Sequence, residues 1–369
     1  MPISVSTPTL TQEEVDYCTQ AVLTKRLAMG GDVQALDRID SPLVDMLMAK
    51  SKELGAPTLG GFRFFVKGNR GQDLQWWDGA DLLTFENRQT LMDMQYNTGR
   101  CHLGYELLYA FIEAQGIRVT YGKGIGSGDV KADIMERAVN IIDDHLDTVM
   151  YNYKQKVRQG LLLSNAANSK AVAGMDALFP ITSNTAGTIG GRARSNERFR
   201  HYLVTGLTKD TFQLQFFRMI RSQTRRSGGK RPTIIACGDL FYDMIADCFS
   251  GSSTVAGKFD YRSARESAMS RGEKYNIALP QNAFMYEDTL IVNEPVFEEL
   301  DTIDTAAAIP WAKRCYSLIT DYFGVVPVVD KQVVKHAMPF NQRLERASIH
   351  GEYVEWCNLP NAQAVLTAA

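Results

Sequence analysis

DVKADIMERAVNIIDDHLDTVMYNYKQKVRQ, running from Asp129 to Gln159, is the longest uninterrupted helical signal in the chain. Ile134, Ala138, Ile142, Leu146, Val149, Tyr153 and Val157 recur at steps of three or four and keep one stripe on one side. Ser127 or Asp129 caps its start, and Gly160 sits where a left-handed terminus is expected. Asp133, Glu136, Asp143, Asp144 and Asp147 load the first half, whereas Lys154, Lys156 and Arg158 load the end, matching the helix macrodipole. At about 1.5 Å per residue the rod is roughly 45 Å long. Such a helix is either the spine of an elongated subunit or a long core helix of an ordinary α/β domain.

Length and composition bound the alternatives. The 369 residues suffice for two lobes, and 45% hydrophobic with 22% charged residues is the balance of a folded protein. A net charge of −2 advertises no general affinity for nucleic acid or anionic membrane. No apolar run has membrane-spanning length, and no leader pattern follows Met1. Six scattered cysteines without a Cys-x-x-Cys pair are expected to be free thiols in a reducing cytoplasm.

Ahead of the rod, Thr11 and Glu14 read as a capping box opening a helix to about Met29. Ser41-Pro42 opens a second to about Leu54. Phe62 to Lys67 has strand propensity, Gly68 to Gly71 is turn chemistry, and Leu74 to Trp77 resumes an extended pattern. Leu91 to Tyr96 is placed to return alongside. An isolated two-stranded excursion is marginal in water, so it must lean on its own body or on a neighbouring subunit. The Trp76-Trp77 pair is correspondingly a small satellite core or an intersubunit anchor. Leu107 to Gln115 reads as a short helix and Ile117 to Tyr121 as a strand.

Beyond the rod, Ser164 to Thr185 is an Asn/Ala/Ser-rich traverse leading into the glycine-arginine segment Gly187 to Tyr202. A helix over Thr208 to Thr224, a strand over Pro232 to Cys237 and a helix over Asp239 to Phe249 form an αβα lobe, roughly 187–275. Strands are expected at Thr289–Val292, Tyr316–Thr320, Val325–Val329, Tyr353–Cys357 and Ala362–Thr367, packed under the long helix in a first lobe.

Site chemistry is sparse. His102, His145, His201, His336 and His350 show no metal-ligand spacing, and no Gly-x-Ser-x-Gly elbow occurs. Asp143, Asp144 and Asp147 share helix spacing but read as a solvated face. The loop Gly122 to Gly128 matches neither the Gly-x-Gly-x-x-Gly nor the Walker pattern, and reads as a hinge. Neither catalytic, cofactor-binding nor metal residues are assigned.

The order of arm, aromatic excursion, long helix, traverse, glycine-arginine segment, αβα lobe and late strands resembles the major capsid proteins of tailed bacteriophages, the Hong Kong 97 fold that encapsulin shells also use. The segment Gly187 to Tyr202, the strand–helix Pro232 to Phe249 and the terminal run Asn358 to Leu366 carry the resemblance. It implies an α+β fold with an N-terminal arm over 1–55 and an extended E-loop over 56–100. A peripheral (P) domain over 101–186 and 272–369 would hold the spine 129–159, and an axial (A) domain would span 187–271.

The implied function is structural: self-assembly into the icosahedral head shell around a double-stranded DNA genome. The expected partners are other copies as hexamers and pentamers, portal, scaffold and decoration proteins, and DNA bound non-specifically, with no membrane and no cofactor. Assembly would occur in the host cytoplasm and the product would reside in the virion. Trp76 and Trp77 are expected to clasp a neighbour, and Arg192, Arg194, Arg198 and Arg200 to make contacts within a capsomer. The alternatives are an encapsulin-like nanocompartment or, in another class, a nucleotide-binding enzyme using Gly122 to Gly128.

Overall fold

The structure is a computed structural model that describes residues 9–11, 41–51, 62–67, 91–108, 118–120, 128–164, 170–250, 266–270, 283–305, 307–336 and 344–369. Its first half contains β1 (Thr9–Thr11), α1 (Pro42–Ser51), β2 (Phe62–Lys67), β3 (Leu91–Tyr96), β4 (Gly99–Leu108), β5 (Arg118–Thr120) and α2 (Gly128–Leu162). There follow α3 (Met175–Leu178), β6 (Thr188–Ile189), β7 (Arg192–Ala193), β8 (Tyr202–Leu207), α4 (Lys209–Arg226), β9 (Ile234–Cys237) and α5 (Asp239–Ser250). The remainder holds β10 (Phe284–Tyr286), β11 (Thr289–Asn293), α6 (Val296–Ile303), β12 (Arg314–Leu318), β13 (Phe323–His336), β14 (Leu344–Cys357) and β15 (Ala364–Ala368). Two compact units result: Met1–Arg38 with Arg100–Val157 and Val329–Gly351, and Ile39–Gly99 with Arg158–Val328 and Glu352–Ala369.

In the first unit the rod is helical as the periodicity demands, and Ile142, Leu146, Val149 and Tyr153 of the apolar stripe are buried. Cys101 on β4 lies 3.7 Å from the Tyr153 hydroxyl and donates to the Gly351 carbonyl at 3.6 Å. β13, β14 and β4 form one sheet in that order, with Arg346 and Glu106 paired at 2.7 Å. Strand β1 runs parallel to β5, with Thr9 opposite Arg118. Thr11 is therefore a strand residue, and the helix expected after it lies outside the described residues. Leu107 and Leu108 end a ten-residue strand instead of opening a helix.

Gly160 does not terminate the rod, which continues to Leu162. Leu161 and Leu162 beyond it are buried, and burying two leucines outweighs the roughly 1 kcal/mol that an internal glycine costs.

The second unit is organised by a six-stranded sheet in the order β10-β11-β9-β12-β15-β8. β9 runs parallel to β11 and antiparallel to β12, and β15 runs antiparallel to β12 and parallel to β8. The late strands β11, β12 and β15 were expected beneath the long helix; they are built into the sheet of the αβα lobe. Their apolar runs are buried on both sides, which suits interior strands. On one side, Phe212, Phe216, Met219 and Ile220 of α4 and Phe241, Tyr242 and Ile245 of α5 pack over Ile235, Cys237, Ile291, Cys315 and Leu366. On the other, Tyr316 meets Phe297 of α6 and Trp311. Cys315 and Tyr316 are successive strand residues, so α4 and α6 cover opposite faces.

Polar joints fix this sandwich. The Gln223 amide of α4 donates to the Ser317 and Ala362 carbonyls at 2.8 and 2.9 Å and accepts from the Ser317 hydroxyl at 2.8 Å. Over its described residues 170–185 the Asn/Ala/Ser traverse is irregular as expected, apart from the one-turn α3.

Helix α1 starts where the Ser-Pro signal places it. Ser41 accepts from the Val44 amide at 3.3 Å, and Glu294, only 1% exposed, accepts from the Leu43 amide at 3.0 Å. Arg158 chelates Asp45 at 2.9 and 2.8 Å. Burial raises the Glu294 carboxyl to about 7, against the opposing pull of the Leu43 amide, Ser41 and Arg158. A raised folded value favours the protonated form, so this stabilisation is complete below the ordinary carboxyl range near 4.5 and vanishes as pH rises through 7. Lowering pH from 8 to 5 is expected to raise the melting temperature and slow amide exchange over 42–51. In Glu294→Gln that response should shrink; an unchanged response would place the titration elsewhere.

Candidate assembly site

The glycine-arginine segment and the root of the aromatic excursion come together in the second unit. β2 and β3 pair antiparallel from Phe62–Tyr96 to Lys67–Leu91, as the strand signals predict. Alternation turns Phe62 and Phe64 inward and leaves Arg63 and Phe65 outward, Phe65 being 74% exposed. Leu91, at the far end of the ladder, is 49% exposed.

The root is anchored to the chain's own body. Phe64 packs on Trp356 of β14 with ring centroids 5.0 Å apart, and meets Tyr96 edge-on at 6.4 Å. The Tyr96 hydroxyl donates to the Cys357 carbonyl at 2.5 Å. Under the indole lies Gly324 of β13, where an added Cβ would come within 3.1 Å of the Trp356 ring nitrogen.

A short hairpin of β6 and β7 pairs Thr188 with Ala193 and Ile189 with Arg192. Its turn needs Gly190 and Gly191, both at positive φ, and Gly190 presses against Met94 and Tyr96. The Gly190 carbonyl accepts from the Gln95 amide at 3.2 Å, and Arg192 Nε donates to the Asp93 carbonyl at 2.6 Å. The hairpin thus seals the edge of β3.

The four predicted arginines occupy different environments. Arg194 is 2% exposed, and one terminal nitrogen donates to the Ala177 and Leu178 carbonyls at 2.8 Å each. Its other nitrogens have no hydrogen-bond partner, and burial lowers the guanidinium's pKa. A side chain spent so fully inside its own chain locks the traverse to the segment and is not available to a neighbour. Arg200 turns back onto the Arg194 carbonyl at 2.7 Å and the Ser195 carbonyl. Arg192 and Arg200 are half-buried, as is Arg198 on the 3-10 turn Glu197–Phe199 capped by Asn196. Trp76 and Trp77 lie outside the described residues, as does the loop 121–127.

His201 completes the segment. Burial and the nearby Arg194 charge push it down to about 3, so it is neutral at physiological pH, with Nε2 3.1 Å from the Pro180 carbonyl. Sequence reading missed it; only its position after the Arg-rich run hints at a structural role. Burial also raises the Tyr96 hydroxyl and the Cys357 thiol, leaving both neutral. Among the described residues no three His, Cys, Asp or Glu converge as a metal set, although His102 and His350 stack at 5.9 Å. No described helix is long and apolar enough to cross a membrane. The geometry is that of a scaffold fixing the β2–β3 ladder.

No family model matches the chain, and no curated protein matches it by sequence. Solved structures do. The cyanophage A-1(L) capsid asymmetric unit aligns with a TM-score of 0.59 at 11% identity, covering 91% of this chain and 94% of that one. Mycobacterium phage Ogopogo aligns with a TM-score of 0.52 at 10% identity, covering 93% of this chain and 99% of that one. At such identity the likeness establishes the fold, and the mixed helix-and-sheet class implied by the resemblance is borne out.

Two substitutions test the anchored root. Trp356→Ala should cost about 3–5 kcal/mol in denaturant unfolding. Gly190→Ala, forced to positive φ against Met94, should cost about 1–2 kcal/mol. Losses below 0.5 kcal/mol in both would mean that the root contributes little to stability.

Proposed function

We propose that this chain is the major capsid protein of a tailed bacteriophage, assembling into the icosahedral shell around a double-stranded DNA genome. One observation carries the reading: the fold is shared along nearly the full length of both chains with a subunit of the A-1(L) capsid. The sealed, aromatic-rooted hairpin supports it, because a shell subunit needs rigid platforms for segments that lie over neighbours. The near-neutral net charge of −2 lets copies approach without strong mutual repulsion.

The reading assigns 1–55 to an N-terminal arm and 56–100 to an E-loop. It assigns 101–186 and 272–369, with the spine 129–159, to a peripheral domain and 187–271 to an axial domain. Strands β11, β12 and β15, although drawn from the peripheral range, complete the axial sheet. Trp76 and Trp77 clasp a neighbour beyond the root, where Phe65 and Leu91 already present apolar surface. Arg192, Arg198 and Arg200 contribute to contacts within a capsomer. Portal, scaffold and decoration proteins, and DNA held without sequence preference, are the further partners, with assembly in the host cytoplasm.

Electron microscopy and sedimentation of the purified chain should show closed or partial shells, or hexamer and pentamer plates. A stable monomer, even when co-expressed with its neighbouring head genes, would overturn the reading. Replacing residues 68–90 by Asn-Gly spares the β2–β3 ladder and its aromatic anchor, because Lys67 already faces Leu91. That variant should stay soluble and folded and form no shells; normal shells would sink the clasping role of the E-loop.

A further inference from the structure

Helices α4 and α6, on opposite faces of the second unit's sheet, carry opposite net charge. On α4, Leu214, Arg218, Arg221 and Arg225 recur at steps of four, three and four, opposite the buried Phe212, Phe216, Met219 and Gln223. All four are exposed, Leu214 at 56%, and among the described residues the three arginines make no hydrogen bond or ion pair. The stripe is roughly 16 Å long at a helical rise of about 1.5 Å per residue. Beside it Phe217, Arg221, Arg225, Gly229 and Tyr286 line a hollow of about 590 Å³.

The opposite face carries α6, which has acidic Glu298, Glu299 and Asp301 and no basic residue. Asp301 is occupied by the Trp311 and Ala312 amides, and Glu299 by Gln159. Glu298 is exposed without a partner, and Ile303, on the following turn, is 47% exposed. Helices α4 and α6 thus each present exposed charge and one exposed aliphatic side chain, with signs reversed.

We propose that the α4 face of one copy docks on the α6 face of the next, pairing the Arg218–Arg221–Arg225 stripe with Glu298 and seating Ile303 beside the Phe217 and Tyr286 hollow. Complementary patches on opposite faces make a heterologous contact, which repeats head to tail and forms a ring when the rotation between copies closes. The inference rests on the shell reading and names the partner surface within its capsomers. A second copy fits better than DNA: the stripe begins with an exposed leucine, and its acidic complement lies on the same unit. Helix α5 shares the α4 face and carries Asp239, Asp243 and Asp247. Asp239 accepts from Asn293 and Asp247 pairs with Lys209 at 2.8 Å, which leaves Asp243 as the competing acid.

The test compares assembly of the full chain and its variants by sedimentation and electron microscopy under one set of conditions. Arg218→Glu/Arg221→Glu/Arg225→Glu should cut the assembled fraction at least about tenfold while circular dichroism stays unchanged, and the corresponding Arg→Gln triple should fall between. Glu298→Lys alone should also weaken assembly, and placed in the Arg→Glu background it should restore rings. Rising salt should weaken assembly of the unaltered chain. Full assembly by the Arg→Glu triple would overturn the pairing, as would rescue by Asp243→Lys in place of Glu298→Lys. Normal particle yield with reduced DNA content would give the arginines to phosphate and also overturn it. Absence of particles from the unaltered chain would remove the shell reading itself, a result distinct from each of these.

Discussion

The contact of Phe64 and Tyr96 with Trp356 and the Cys357 carbonyl is the joint on which the β2–β3 ladder depends. A two-stranded ribbon has too little burial of its own to hold a direction. Three aromatic rings and one hydroxyl–carbonyl bond supply that burial at its base. The joint is supported in turn: Gly324 lets the indole lie flat on β13, and the Gly190 turn closes the open edge of β3. Arg194 then ties the same segment to the traverse, so hairpin root, glycine-arginine turn and traverse behave as one piece.

What the chain revealed by itself was local. The α2 rod and the Thr208 start of α4 were legible because periodicity and capping act within a few residues. The ends of β2 and β3 were legible for the same reason. Gly160 misled because glycine marks a terminus only when nothing apolar follows, and Leu161 and Leu162 do follow. The destination of β11, β12 and β15 was not legible: buried strands read as apolar runs whichever sheet they join. Residues 107–108 looked helical because Leu-Leu carries no period of its own.

The arginine segment shows a different limit. Sequence marks Arg192, Arg194, Arg198 and Arg200 as one basic run, and a charged run is ordinarily read as surface. The fold sorts them by geometry alone, burying Arg194 over two carbonyls and folding Arg200 back on its backbone. Composition cannot separate these roles, since the deciding partners are main-chain oxygens, of α3 for Arg194 and of residues 194–195 for Arg200, which any sequence would provide. The free arginines lie further on, along α4, where helix spacing sets them opposite the core.

The position of β15 inside the sheet has a temporal consequence. β8 bonds to the rest of the sheet through β15, with Tyr202 opposite Ala364, a separation of 364 − 202 = 162 residues. At ribosomal speeds of about 5–20 residues per second, β8 waits roughly 8–30 s after its own synthesis for its partner. Until then Cys315 and Tyr316 on β12 have β9 on one side but lack β15 on the other, and the apolar layer beneath α4 is incomplete. A nascent chain therefore has no finished sheet faces until β15 is made. Late strand insertion acts as a clock that holds completion of the sheet behind the synthesis of β15.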